Sequence, residues 1–279
     1  MKQRSSEVGR FHEAPLVAFA SLAILGGGLA AGRLPLWVLG IAGWTPGRVD
    51  GAFVALPVGI GLAVSLLHLG RRGRMLQALR RAGRSALSTE VALAGLTGSA
   101  ALAFFLLPVA DRYAAYASLL WSVAVLSGLG LLFAIAWVYT LPGQLFWGIA
   151  AAPSPVVLGL AFGMLAGMRH GVGYAIGALL AAEGLLCALR WHRLEHRQDW
   201  GAPVHKGFFR FRRPLLLARL LLAPVLPLMA IAFEAYGAAL GMLALGIVID
   251  RFAFYALALQ QTTEAEVARI DRIIKSATG

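Results

Sequence analysis

The chain has 279 residues, of which 59% are hydrophobic and 14% charged, and its formal net charge is +12. Soluble domains are about half apolar and about a quarter charged, so the composition excludes an ordinary soluble protein and predicts a polytopic membrane protein. The positive charge lies in short connectors between apolar runs. There it sets topology and meets anionic lipid headgroups, and nucleic acid is not expected as a partner.

The apolar runs predict the fold. A helix needs about 20 apolar residues to cross the hydrocarbon core, and irregular backbone cannot face lipid. We therefore predict an all-α bundle of eight transmembrane helices, forming a single membrane domain over residues 1–279. The predicted spans are 14–40, 51–69, 87–109, 113–137, 152–168, 171–190, 214–233 and 236–258. The last two spans meet at Glu234 with almost no connector.

The distribution of Lys and Arg predicts the orientation. Eight spans put both termini on one side, together with the connectors 70–86 and 191–213. These segments hold most of the positive charge, including six arginines in 71–84, and positive connectors favour the cytoplasmic side. The chain is therefore expected in the inner (cytoplasmic) membrane of a bacterium, with both termini in the cytoplasm. The basic face of 71–84 also predicts a short amphipathic helix at the headgroups.

Two titratable residues bracket the first basic connector. His68 ends the second span, and Glu90 begins the third span shortly after Ser88, a candidate N-cap. Each has a plain structural explanation, because a histidine suits the interface and a carboxylate is stabilised in the first turn of a helix. Their shared depth on neighbouring helices favours chemistry instead. An imidazole and a carboxylate are the groups that accept two protons from a hydroquinone.

Further charges lie inside the last three predicted spans, where lipid makes them costly. Asp250 and Arg251 are adjacent in the eighth span, and adjacent helical residues point to different faces, so we do not expect them to pair with each other. Arg219 in the seventh span is a candidate partner for an acid. These three residues are interpreted as structural contacts or as part of a proton path, and Glu183 in the sixth span is left open between a structural and a functional role.

The sequence predicts neither a metal site nor a haem. The one cysteine, Cys187, lies in an apolar run and is interpreted as a small buried side chain. His192 and His196 have helical spacing but belong to a strongly basic connector, which favours a solvated segment over a metal site. No two histidines fall within predicted spans at matched depth, as a bis-histidine haem would require.

Several segments resemble the membrane-anchor subunit of dimethyl sulfoxide reductase and its relatives. The most specific is HLG at 68–70, followed by Arg74 and by SALSTE at 85–90. Looser similarities are HEAPLVAF at 12–19, WVYTLPGQLFW at 137–147 and IDRFAFYA at 249–256. The resemblance extends over essentially the whole chain, and it departs at Arg72, where the family commonly has a proline.

The resemblance implies a membrane anchor that binds and oxidises menaquinol, or a related quinol, in anaerobic respiration. It implies two partners, a ferredoxin-like [4Fe–4S] subunit and a molybdopterin catalytic subunit, which would hold all the Fe–S clusters and the molybdopterin. It assigns proton acceptance to His68 and Glu90, and quinol binding to the same two residues with Gly70 and Arg74. Arg71, which follows the HLG segment directly, is added as a candidate to hold the quinone oxygen.

Two other functions stay open from the sequence. A related complex that oxidises a sulfur compound would reverse the electron flow and reduce quinone at the same site. A secondary transporter often shows inverted repeats, whereas the halves 14–137 and 152–258 have no clear mutual similarity. The terminal substrate is decided in the catalytic partner.

Overall fold

The helices follow the apolar runs of the sequence. The computed structural model describes residues 13–34, 46–69, 83–108, 111–140, 151–167, 173–196, 202–203, 210–257 and 259–260. The helices are α1 (Ala14–Ala31), α2 (Arg48–Leu69), α3 (Ala86–Leu106), α4 (Ala114–Val138), α5 (Ser154–Ala166), α6 (Gly173–His196), α7 (Arg212–Ala232) and α8 (Tyr236–Ala256). A 3₁₀ turn (Asp111–Tyr113) precedes α4, and the two-residue strands β1 (Ala202–Pro203) and β2 (Leu259–Gln260) pair antiparallel.

Seven helices in this described part of the chain are long and apolar enough to cross a membrane. The prediction of an all-helical, multi-pass membrane protein is therefore confirmed, but the count of eight spans is not. The first helix is also shorter than the predicted span 14–40, because it ends at Ala31 with Gly32 as its cap. Residues 35–45 lie outside the described ranges.

The fifth predicted span, 152–168, is the one that falls short. Its helix α5 has 13 residues, which at 1.5 Å per residue gives a length of about 20 Å against a hydrocarbon core of about 30 Å. Pro153 and Pro155 fix where this helix begins, and Gly167 caps its end. The mean hydropathy of a window does not reveal these helix boundaries, because one proline or glycine hardly lowers the mean of an otherwise apolar run.

Helix α1 forms the centre of the bundle and packs against α2, α4, α5 and α8. Its glycines allow this close approach. A Cβ at Gly32 would lie 2.6 Å from the Cα of Gly163 on α5, and Gly28 meets the backbone of Gly159. Small residues at such crossings let helix backbones pack tightly in lipid. The main apolar cluster of the described residues surrounds this helix, with Phe19, Ile24 and Leu131 almost fully buried.

The last two spans are joined by a tight turn, as the sequence predicted. Glu234 has a φ of 57°, a left-handed conformation that a residue with a Cβ adopts at a cost. The Ala235 amide donates to the Ala230 carbonyl at 2.7 Å and closes the turn. Helix α8 therefore folds back directly against α7, and the beginning of α7 lies beside the end of α8.

Candidate functional site

Buried charged side chains gather at one end of the bundle. Asp250 is 2% exposed and lies at their centre. One carboxylate oxygen accepts from Arg190 Nη1 at 2.9 Å and from Arg219 Nε at 2.6 Å. The other accepts from Arg251 Nη2 at 2.7 Å and from the Tyr139 hydroxyl at 3.1 Å. A buried carboxylate with four donors is thus held by residues from α6, α7 and α8 and by the residue that follows α4.

The prediction that Asp250 and Arg251 would not pair is wrong. Their Cα positions do diverge on the helix, but the arginine side chain is long enough to fold back onto its neighbour. Its guanidinium lies 4.6 Å from the Tyr139 ring centroid and 5.3 Å from that of Phe254. These two aromatic rings hold the charge against Asp250 through cation–π contacts.

A second buried acid, Glu183, continues the cluster on α6. Its carboxylate accepts from Arg219 and from the Ser154 hydroxyl at the start of α5, and Cys187 Sγ lies 3.7 Å from one of its oxygens. Arg219 therefore bridges the two acids, with its Nε on Asp250 and a terminal nitrogen on Glu183. The guanidinium fork explains how one residue can serve two carboxylates.

Local backbone features bring Arg219 inward. The helix α7 contains a π-helical turn at Leu221–Val225, which includes Pro224. Such turns often occur at functional sites. Gly246 of α8 packs against this turn. An added Cβ at Gly246 would lie 2.8 Å from the Ala223 Cα. The two helices thus approach closely one turn beyond the charged residues.

Glu90 joins this end of the bundle from α3. Its side chain is 4% exposed, and it interacts electrostatically with Arg251 and Tyr255 of α8. The helix begins at Ala86 with Ser85 as the N-cap residue, so the prediction that Ser88 caps the helix is wrong. Ser88 is already inside the first turns, and the Thr89 hydroxyl instead receives the Gly83 amide at 2.9 Å.

The total charge of this cluster balances when Glu90 is included. We name as the charge network the six buried ionisable residues at this end: Glu90, Glu183, Arg190, Arg219, Asp250 and Arg251. Three guanidinium groups face three carboxylates. Buried ions in lipid are tolerated when they are paired in this way, and Glu90 is the third acidic side chain of the network.

His68 reaches the same level of the bundle as Glu90. It is the second-last residue of α2, and α2 runs antiparallel to α3. Arg48 at the start of α2 donates to the Phe105 carbonyl at 2.9 Å, and further along a Cβ at Gly98 would lie 3.1 Å from Val58. The end of α2 therefore lies beside the start of α3. The side chain of His68 and all of Gly70, Arg71 and Arg74 lie outside the described residues.

The residues that sequence reasoning missed are Arg190, Tyr139 and Ser154. Arg190 is the last residue of the predicted span 171–190, and no role was predicted for it. A signal existed, since Glu183, Cys187 and Arg190 have the spacing i, i+4, i+7 that places side chains on one helix face. Cys187 is buried as predicted, but it also contacts Arg219 and Glu183.

The opposite end of the bundle holds one ion pair among the described residues, between Arg33 Nη2 and Asp50 Oδ1 at 3.0 Å. Beside it, a cavity of about 740 Å³ is lined by Arg33, Phe104 and Trp121 among others. In the described ranges no group of three or more His, Cys, Asp or Glu side chains is placed to hold a metal ion. His192 is exposed on α6, and the side chain of His196 is not described.

Comparison with known proteins gives one match. Residues 45–168 match the model of the family described as DMSO reductase anchor subunit (DmsC). No curated protein and no solved structure matches the chain. The matched range contains the end of α2, the start of α3 and the short helix α5. It thus includes the segments HLG and SALSTE on which the predicted resemblance chiefly rests, and the resemblance is confirmed over this range. The match does not extend to HEAPLVAF at 12–19 or IDRFAFYA at 249–256.

Proposed function

We propose that this chain, whose residues 45–168 match the model of the DMSO reductase anchor subunit (DmsC) family, oxidises menaquinol or a related quinol at the Glu90 end of the bundle. The match supports a membrane anchor of a DMSO reductase-like complex, and it implies association with catalytic and iron–sulfur subunits. The assignment of quinol oxidation to this end of the bundle goes further than the family match. It rests above all on one observation, a buried acid, Glu90, that lies at the level of His68 and belongs to the charge network.

The residues around Glu90 suit proton transfer from a quinol. Oxidation of a quinol releases two protons and two electrons, and each proton needs an acceptor near the hydroxyl that loses it. Glu90 and His68 are the proposed acceptors, and both stand at the ends of adjacent helices where an amphiphile can enter from the membrane. Gly70, Arg71 and Arg74 follow His68 directly and complete the proposed binding site.

Arg251 has a positioning role in this proposal. It interacts with Glu90 on one side and donates to Asp250 on the other, so it connects Glu90 to the other members of the network. Protons accepted by Glu90 are proposed to pass towards Asp250 and Arg219. The electrons leave to the iron–sulfur subunit and from there to the molybdopterin subunit, where the terminal substrate of anaerobic respiration is reduced.

The test compares Glu90→Gln and His68→Ala with the wild-type complex. The menaquinol oxidation rate of the isolated complex is measured, and dye-driven turnover of the catalytic subunit checks that the complex has assembled. Loss of a proton acceptor lowers turnover by about 10²-fold or more, so each variant should lose quinol oxidation while dye-driven turnover stays normal. Unchanged quinol oxidation in both variants would contradict the assignment of His68 and Glu90 as proton acceptors.

A matched control exists at the other end of the bundle. Asp50 is also an ion-paired carboxylate in a membrane helix, but it pairs with Arg33. We expect Asp50→Asn to leave quinol oxidation per assembled complex unchanged. If Asp50→Asn and Glu90→Gln lowered the rate equally, the effect of Glu90 would be a general consequence of removing an acidic group from a membrane helix.

A further inference from the structure

The charge network lies close to a cavity that the proposed reaction has not used. The cavity has a volume of about 380 Å³ and opens between α6 and α7. Its described lining is Cys187, Ala188, Trp191, His192, Leu216, Arg219 and Leu220. Most of these residues are apolar, but Arg219 is a charged side chain that is 1% exposed and belongs to the network. A cavity that touches a buried guanidinium is a place where water gains strong hydrogen-bond partners.

Two lining residues connect this cavity to a carboxylate. Arg219 donates to Glu183, and Cys187 Sγ lies 3.7 Å from Glu183 Oε1. Glu183 itself is fully buried, so the arginine and the thiol stand between it and the cavity. A proton on this carboxylate would therefore need to travel past one layer of side chains to reach the cavity.

The mouth of the cavity lies where water is accessible. Trp191 and His192 are in the last two turns of α6, and His192 is exposed. Tryptophan is enriched at the level of lipid headgroups, which places this end of α6 at the membrane–water interface. The cavity thus extends from the interface to a residue that contacts both Glu183 and Asp250.

We infer that this cavity is a water-filled outlet through which protons leave the charge network. The inference rests on the proposed function, because the protons are those that a quinol releases at Glu90. The carboxylates of Glu90, Asp250 and Glu183 carry them in turn, and water in the cavity receives each one beside Arg219. Each quinol oxidised gives two electrons to the iron–sulfur subunit and one proton each to His68 and Glu90, and the proton on Glu90 takes this route.

Cys187 provides a direct test of the water, because it is the chain's one cysteine and it lines the cavity. Native membranes containing the complex are treated with a positively charged methanethiosulfonate reagent or with neutral N-ethylmaleimide, and the Cys187 peptide is quantified by mass spectrometry. We expect the charged reagent to modify Cys187. Modification by N-ethylmaleimide alone would show that the cavity is filled by lipid. Modification by neither reagent would show that the cavity is closed. Either result overturns the inference.

A pair of variants tests whether protons use this route. Ala188 lines the cavity and is exposed, so Ala188→Phe should fill the mouth without disturbing the core. Ala182 is also exposed on α6 but does not line the cavity, and Ala182→Phe is the matched control. We expect Ala188→Phe to lose most of the charged labelling and to slow menaquinol oxidation severalfold, with dye-driven turnover unchanged and with Ala182→Phe unaffected.

The outcomes separate the outlet from the proposed function. If Glu90→Gln abolishes quinol oxidation but Ala188→Phe blocks labelling without slowing it, the outlet is overturned and the quinol site stands. If Glu90→Gln has no effect, the quinol site fails, whatever the labelling shows. Labelling that is undiminished in Ala188→Phe also overturns the outlet, because the charged reagent would then reach Cys187 by another route.

Discussion

Arg219→Met tests which acid depends on the bridging arginine. The wild-type side chain contacts Asp250 at 2.6 Å, the Ser154 hydroxyl at 2.9 Å, Glu183 and Cys187. After the arginine is removed, Asp250 still accepts hydrogen bonds from Arg190, Arg251 and Tyr139. Within the described residues Glu183 has no other cation in contact. The cost should therefore arise mainly from an uncompensated Glu183, and removal of one partner of a buried pair costs about 3–5 kcal/mol.

The acid that rescues Arg219→Met identifies the source of this cost. Glu183→Gln in the same chain removes the uncompensated charge and leaves lost hydrogen bonds, which are worth about 1–2 kcal/mol in total. The double variant should thus recover about 2 kcal/mol or more of stability. Asp250→Asn in the same background should recover little, because it takes a counter-charge from Arg190 and Arg251. We therefore expect the double variant Arg219→Met/Glu183→Gln to be the most stable of the three. The single variant Arg219→Met should follow, and Arg219→Met/Asp250→Asn should be the least stable.

The measurement is the midpoint of heat-induced loss of the folded complex in detergent, followed by size-exclusion chromatography of fluorescently tagged protein. Wild type and the single variants Glu183→Gln and Asp250→Asn are measured alongside, which completes two double-mutant cycles. Equal recovery by both second substitutions, or a larger recovery with Asp250→Asn, would refute the assignment of Glu183 as the dependent acid.

Two further predictions concern the backbone. Gly163→Ala should destabilise the bundle by about 1–3 kcal/mol, as overpacking does, because the new Cβ would overlap the Gly28 carbonyl and lie 3.0 Å from the Gly32 Cα; Gly95→Ala, with nothing within 4 Å of its new Cβ, is the control. The same thermal assay reads both, and equal midpoints would contradict the close α1–α5 contact. Glu234→Gly should stabilise the turn between α7 and α8 by about 1 kcal/mol, since it relieves the left-handed φ of 57°. A lower midpoint than wild type would show that the Glu234 side chain contributes more than its backbone costs.

The sequence predicted the positions of the helices well because hydrophobic length is the main constraint in a membrane. Predicted spans such as 113–137 and 236–258 differ from α4 and α8 by at most two residues at either end. The prediction was weakest where helix boundaries depend on single residues. Pro153 and Gly167 limit α5 to 13 residues, and they do so through backbone geometry that an average over apolar side chains does not register.

The charge network could be predicted only in part from the sequence. Arg219, Asp250 and Arg251 stood out because charge in an apolar run is costly, and this argument does not depend on the partner. Their partners are set by tertiary packing, with as many as 111 residues separating Tyr139 from Asp250. The direct contact of Asp250 with Arg251 depends on a flexible side chain, which the directions of the backbone positions cannot decide.

The composition of the network bears on the proposed chemistry. A buried ion pair that merely joins helices can often be replaced by apolar residues without loss of stability. This network instead draws ionisable side chains from α3, α6, α7 and α8 to one end of the bundle, where Glu90 is the third acid beside three guanidinium groups. In the proposed reaction Glu90 accepts its proton as a carboxylate, and the protonated form leaves the network with one excess positive charge. The excess disfavours a second proton at Glu90 until the first has moved on, so each proton must leave the network before the next can be accepted.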